Sequence, residues 1–204
     1  MNKFNQKIRI AVQSSGRLRE PSLEYLKSCG LKFTAEGRAL IVACENEDMD
    51  VELIFVRNSD IPEYVRYNVA DYGILGENVL MERDDKFDVV KKLGFGKCDL
   101  VLAVAEKSKF ERLEDLEHER IATSYLTTMK RILKQRKVSA AVVNIQGSVE
   151  ICPALGLSDA IFDISQSGNT IRENGLRIIE KLAESQAVLI KNSNSNSQYE
   201  QIFL

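Results

Sequence analysis

The run Ser165-Gln166-Ser167-Gly168-Asn169-Thr170 combines hydroxyls, amides and a glycine in an order that suits the grip of a phosphate monoester. Consecutive backbone N–H groups can point at one anion, and a glycine lets the anion approach the main chain closely. Asp163 lies just before this run, where a carboxylate can accept hydrogen bonds from sugar hydroxyls, and Asp159, four residues earlier, brackets with it the strand that leads into the run. A polar turn of this composition is equally an ordinary connection between a strand and a helix. Ser14-Ser15-Gly16-Arg17 repeats the pattern near the start of the chain, with Arg17 as a charge for an anion, although its plain reading is again a strand-to-helix turn. Arg38 and Arg57 are further candidate phosphate contacts, in a class of residue that is mostly solvated surface. Glu150, in Gly147-Ser148-Val149-Glu150, could face a ligand or simply favour the first turn of a helix.

Other chemistries lack their residues. The one histidine, His118, sits in the charged run Glu114-Asp115-Leu116-Glu117-His118-Glu119-Arg120, which reads as a solvated loop and not as part of a Ser-His-Asp triad. Four scattered cysteines with no C-x-x-C pair read as reduced thiols of a cytosolic protein and suggest no metal site. A net charge of -2 gives no basic field for nucleic acid, so an anionic ligand must be held by local devices. The apolar runs are strand-sized, too short to span a membrane, and the first residues, MNKFNQK, show no secretory pattern.

Short apolar runs alternating with amphipathic stretches predict an α/β protein. Strands are expected at residues 8–13 (IRIAVQ), 40–43, 51–56, 71–76, 89–93, 100–105 (LVLAVA), 120–123, 140–145 and 160–164. Helices are expected over 21–29 with Gly30 as the stop, over 60–67 with Asp60 as cap, and near 78–82, 113–116 and 129–136. Residues 176–181 and 187–190 read as a return into a first lobe, 192–197 (NSNSNS) as a flexible stretch, and 199–204 as a helix start.

Taken in order, Gly147 to Glu150, Ala154-Leu155-Gly156-Leu157-Ser158-Asp159-Ala160-Ile161 and Asp163 through Thr170 resemble the signature of ATP phosphoribosyltransferases. The SGRL turn at Ser15 to Leu18, Arg57 with Asp60-Ile61-Pro62, and Ala70-Asp71-Tyr72-Gly73-Ile74 resemble that family too. So do Gly76 to Leu80 (GENVL), Leu93 to Cys98 (LGFGKC) and Arg120 to Tyr125 (RIATSY). The likeness runs from about Ile8 to Ile190.

The resemblance implies two lobes of the type II periplasmic-binding-protein kind, 1–91 plus 180–204 and 92–179, with the active site in the cleft between them. It implies transfer of phosphoribosyl from phosphoribosyl pyrophosphate to ATP, the first step of histidine biosynthesis, in the cytoplasm. Ser165 to Thr170 would hold the 5-phosphate, and Asp159 and Asp163 the ribose. Ser14, Ser15, Gly16, Arg38 and Asp71 would serve ATP, and Glu150, Arg17 and Arg57 would join the catalytic set. Magnesium would arrive with the pyrophosphate. The family also implies a homo-oligomer, or a hetero-oligomer with a regulatory subunit resembling histidyl-tRNA synthetase. Three places depart from its pattern: Ser14 replaces a lysine, Gln166-Ser167 replaces Ser-Thr or Glu-Thr, and Leu126 replaces a proline. Without the histidine-sensing domain of the long members, the chain reads as either a naturally short form or the catalytic part of a long form, and its motifs SGRL, GENVL and IATSY more closely resemble the long form. The alternative is a weakened nucleotide- or phosphate-binding module of the same fold.

Overall fold

A computed structural model of the protein describes residues 7–35, 39–45, 50–193 and 200–203. By contact the chain forms two units: Met1–Leu80 with Asp84–Gly96 and Gln186–Leu204, and Met81–Arg83 with Lys97–Ser185. The elements begin β1 (Ile8–Gln13), α1 (Arg19–Ser28), β2 (Ile41–Cys44), β3 (Val51–Val56), α2 (Ile61–Arg66), β4 (Tyr72–Gly76) and α3 (Glu77–Met81). They continue with β5 (Phe87–Lys92), β6 (Cys98–Ala105), β7 (Arg120–Thr123), α4 (Leu126–Arg136) and β8 (Ala141–Asn144). Last come β9 (Ala160–Ser165), α5 (Asn169–Glu173), β10 (Leu176–Ser185) and β11 (Ala187–Asn192). Short 3-10 turns lie at Leu113–Leu116, Val149–Ile151 and Glu200–Ile202.

The first unit carries a six-stranded sheet in the order β2-β3-β1-β4-β11-β5, and the second a five-stranded sheet in the order β10-β6-β9-β7-β8. Both are mixed, and both repeat one pattern. A central strand (β1 or β7) has a parallel neighbour on each side, and an antiparallel strand (β11 or β6) lies beyond one of them.

Alternating side chains of these strands feed a core on each face of each sheet. In the first unit, Ile8, Ile10 and Val12 pack with Leu23 and Leu26 of α1, while Ala11 on the other face meets Ile61, Val65 and Val188. In the second, Leu100, Leu102 and Val104 pack with Met129 and Leu133 of α4, and Ala103 and Ile161 pack with Val149, Ile171 and Leu176. Strands covered on both faces are apolar almost throughout, which is why IRIAVQ and LVLAVA are readable as strands.

α1 stops where glycine allows it. Gly30 has φ +88, its N–H bonds Lys27 O at 3.0 Å, and the Leu31 N–H bonds Leu26 O at 3.2 Å. That pair closes the orphan carbonyls of the last turn. The tail returns to the same unit: Phe203 is 1% exposed, its ring lies 4.8 Å from that of Tyr72, and its carbonyl accepts from Tyr25 Oη and Lys91 Nζ.

Several expectations change, the helix near 113–116, found as a 3-10 turn, among them. Residues 176–181 do not return to the first sheet; they open β10, which runs antiparallel to β6 with irregularities at Ile178/Glu180 and Lys181/Ala183. Those breaks in register hide the two-residue period of a strand. Asp60 precedes α2 but makes no side-chain cap; its Oδ1 accepts from Ser59 Oγ instead. The helix at Val149 is a single 3-10 turn, as is Glu200–Ile202. His118, by contrast, is exposed at φ 67, as a solvated loop histidine.

Candidate active site

In sheets of this type, ligand-binding groups gather where parallel strands end at their carboxyl termini. In the second unit these ends belong to β7, β8 and β9. They deliver Ser124-Tyr125, the segment 145–150 and the segment 163–170 to one edge. Ser124 Oγ donates to Ile145 O at 2.8 Å and the Ile145 N–H to Thr123 O at 3.0 Å, so the first two segments are stitched together. The ring of Tyr125 meets Phe162 edge-on at 6.3 Å, one residue before Asp163.

Asp163 is partly buried near the end of β9, and its Oδ1 accepts the Ile164 N–H at 2.7 Å. Burial pushes its carboxyl up to about 6. The Ile164 N–H pulls the other way, and the charge of Glu150 adds to the rise. The Glu150 carboxylate is therefore close enough to act on Asp163 across this edge. Ser165 is the last residue of β9, and Asn169 and Thr170 already belong to α5, so only Gln166, Ser167 and Gly168 form the bend. Ser165 Oγ accepts the Gly168 N–H at 3.0 Å, and Ser167 Oγ accepts the Asn169 N–H at 3.4 Å. These hydroxyls hold amides that an incoming phosphate could claim.

The start of α4 lies at the same edge but is already filled. Glu82 accepts the N–H groups of Thr127 (2.6 Å) and Thr128 (2.9 Å) and the Thr128 hydroxyl (2.9 Å). A carboxylate stabilises a helix N-terminus and occupies the place an anion would take.

In the first unit the carboxyl ends of β1, β3 and β4 bring together Ser14 to Arg17, Arg57 and Glu77-Asn78. The Ser14 N–H still bonds Val56 O at 2.8 Å, which sets Ser14 beside the start of the Arg57 loop. Gly16 has φ +104, and a Cβ there would come within 2.5 Å of Gln13 Nε2. Glycine is thus required for the turn. Arg17 Nη1 donates to Gly96 O at 3.0 Å, and Arg57 is exposed. Arg38 lies outside the described residues.

Asp71 and Asp159 are not brought to these edges. Each stands just before its strand and closes the amino end of a parallel pair. Asp71 Oδ2 accepts the Arg9 N–H at 2.8 Å while its own N–H bonds Arg9 O, and Asp159 does the same with Arg120, at 2.9 Å. Asp159 is thus about 13 Å from Asp163 at roughly 3.3 Å per residue. Asp71→Ala and Asp159→Ala are each expected to cost about 0.5–1.5 kcal/mol of stability, by removing the acceptor of an exposed strand N–H. Denaturant titration reads that loss. A rise in the Michaelis constant of Asp159→Ala for phosphoribosyl pyrophosphate, without loss of stability, would return Asp159 to the site.

Residues 57–203 match the family described as HisG: ATP phosphoribosyltransferase. The chain belongs to the ATP phosphoribosyltransferase family. It is 43% identical over 182 residues to the ATP phosphoribosyltransferase of Cytophaga hutchinsonii, covering 89% of this chain and 63% of that one. The chain therefore spans under two thirds of the length of that relative. Among solved structures it is similar to the ATP phosphoribosyl transferase (HisG:HisZ) complex from Thermotoga maritima. There the TM-score is 0.75 at 29% identity, over 91% of this chain and 87% of that chain. A truncated, arginine-bound ArgBP from T. maritima shares the fold at 10% identity and a TM-score of 0.58, over 97% of this chain and 92% of that chain. Two mixed α/β sheets of the periplasmic-binding-protein type are thus the frame of this family member.

Three residues at these edges carry no site role in the sequence pattern alone. Asn78 is 4% exposed after β4, where Gly76 makes room for it: a Cβ on Gly76 would come within 2.2 Å of Asn78 Oδ1. The buried Oδ1 of Asn58 has no hydrogen-bond partner among the described residues. Arg172 folds back over the 165–170 bend, donating to Ser167 O at 3.2 Å and to Asn169 Oδ1. The signal for Arg172 is its place one turn beyond Gly168, which aims a long side chain back along the helix.

Proposed function

We propose that this chain joins ATP to phosphoribosyl pyrophosphate, giving phosphoribosyl-ATP and pyrophosphate. Its family membership favours this activity, and the observation that carries the site is the single edge shared by Asp163, Glu150 and the 165–170 bend. In this reading the second unit takes phosphoribosyl pyrophosphate. The bend holds the 5-phosphate through Ser165, Gln166, Ser167, Gly168, Asn169 and Thr170, and ionised Asp163 accepts from the ribose hydroxyls. The first unit takes ATP through Ser14, Ser15 and Gly16, with Arg17 and Arg57 near its phosphates.

An adenine ring nitrogen forms a bond to the anomeric carbon as the bond to pyrophosphate breaks. The sugar passes through a cation-like state, and no protein nucleophile is needed. The carboxylates of Asp163 and Glu150 suit that positive charge, and the held geometry supplies much of the rate. Both are hard oxygen donors, which fit a magnesium ion that keeps pyrophosphate and water as its main ligands. When bound, that ion neutralises charge on the leaving group. The expected compartment is the cytoplasm; no helix of the described residues is long and apolar enough to cross a membrane. The T. maritima relative is a HisG:HisZ complex, and the expected assembly here is a homo-oligomer or a complex with a synthetase-like subunit.

The test mixes the protein with ATP, magnesium and phosphoribosyl pyrophosphate, with pyrophosphatase present, and follows phosphoribosyl-ATP absorbance. Product formation, lost in Thr170→Ala without loss of folding, supports the reading. Ser14 stands where the family carries a lysine and favours a second reading, a module that binds without turnover. Restoring one charge-assisted contact is worth about 1.5–3 kcal/mol. Ser14→Lys is thus expected to raise kcat/KM about tenfold or more. Tight binding with no product in either protein would favour the module.

A further inference from the structure

We infer that Arg172 is the cation of the phosphate-gripping bend and a direct contact of the substrate's 5-phosphate. The inference rests on reading that bend as a monoester site. Amides and hydroxyls alone leave the dianion's charge unmet, and residues 165–170 contain no basic side chain. Arg172 supplies one in place. Its Nη2 donates to Ser167 O and Asn169 Oδ1, both within the bend. Its Nη1 lies against the main chain at Gly168, where a Cβ would come within 2.9 Å of it. The missing side chain at Gly168, whose φ is +74, therefore gives the guanidinium its resting place.

The partners of Arg172 are the second argument. Arg112, Arg120, Arg136 and Arg177 of the same unit each face a carboxylate (Asp115, Asp159, Glu114 and Glu111), while Arg131, on α4 and not on the bend, donates to Met81 O. Arg172 is held by neutral oxygens, and among the described residues no carboxylate lies in ion-pair range of it. Its charge is exposed and not engaged by a carboxylate, so a phosphate reaching the bend can take it up. A guanidinium offers five N–H donors in a fork that matches phosphate, and exchanging two neutral acceptors for phosphate oxygens gains charge-assisted bonds. The start of α4, the other anion-seeking feature of this edge, is taken by Glu82, which leaves Arg172 as the cation placed on the bend.

The test titrates phosphoribosyl pyrophosphate with magnesium into the wild type, Arg172→Ala and Arg172→Lys by calorimetry, alongside steady-state kinetics. Arg172→Ala is expected to raise the dissociation constant and the KM for phosphoribosyl pyrophosphate about tenfold or more. The KM for ATP and kcat should stay within about twofold, and Arg172→Lys should keep part of the affinity as a point charge. Added salt should weaken the wild type more than Arg172→Ala. If Arg172→Ala melts early, Arg172→Gln, which can still donate to the bend without charge, must show the same loss. Unchanged affinity in Arg172→Ala and Arg172→Gln, with affinity lost in Thr170→Ala, overturns the role of Arg172 and leaves the bend as the phosphate site. A wild type that does not bind phosphoribosyl pyrophosphate removes both.

Discussion

Asp163→Asn is expected to make the protein more stable at pH 8 and nearly useless toward phosphoribosyl pyrophosphate. Burial holds this carboxyl at about 6, above the ordinary 3.8. A raised carboxyl favours the folded state only while it is protonated. That contribution is complete below about pH 4 and is lost as the pH rises through about 6. At 1.36 kcal/mol per pH unit, ionising Asp163 costs the fold about 3 kcal/mol at pH 8. The neutral amide avoids this cost, so the stability gain should approach that size at pH 8 and nearly vanish at pH 4. Urea titrations at the two pH values read the difference.

The loss of function follows from the same charge. Two ribose hydroxyls donating to a carboxylate are worth about 1.5–3 kcal/mol each, so kcat/KM for phosphoribosyl pyrophosphate should fall at least about 100-fold. In the wild type that parameter should climb with pH through about 6, as Asp163 ionises. Near-normal kcat/KM in Asp163→Asn would take Asp163 out of the site. No gain at pH 8 would mean that some partner already compensates the charge.

Phe203→Ala should be among the most damaging single changes to stability, costing about 3–5 kcal/mol. The ring is 1% exposed and packs edge-on to Tyr72 among residues of β1, β3 and α1. Tyr72 is itself fully buried, so the void cannot fill from solvent without wetting that core. The backbone carbonyl that accepts from Tyr25 and Lys91 is unchanged by the substitution, which confines the loss to packing. A cost below about 1 kcal/mol in urea unfolding would show that the docked tail adds little to the core.

The α/β class, the 8–13 and 100–105 strands and the bend after Asp163 were legible because their residues carry the information locally. Apolar runs of strand length have few alternatives, and glycine at a positive φ, as at Gly30, ends a helix wherever it falls. What escaped depended on pairing. β10 looks amphipathic because two irregularities shift its inward face, and only its register with β6 identifies it as a strand of the second sheet. Asp159 looked like a partner of Asp163 because it is four residues away. A strand puts that distance at about 13 Å, with opposite ends of the sheet between them. Arg172 stayed hidden because an arginine in a short helix has no distinguishing sequence context until Gly168 is seen beneath it.

The order of strands in the first sheet has a consequence for synthesis. β11, at Ala187–Asn192, pairs with β4 on one side and β5 on the other, so a strand that follows the whole 97–185 segment fills an interior position. As the chain leaves the ribosome, the 97–185 segment is available in full before that position can be filled. The second unit can therefore mature while the first still waits with the outer edge of β4 open and with β5, whose partner in the sheet is β11, unpaired. Nascent chains halted before residue 187 should be the ones that aggregate or recruit chaperones.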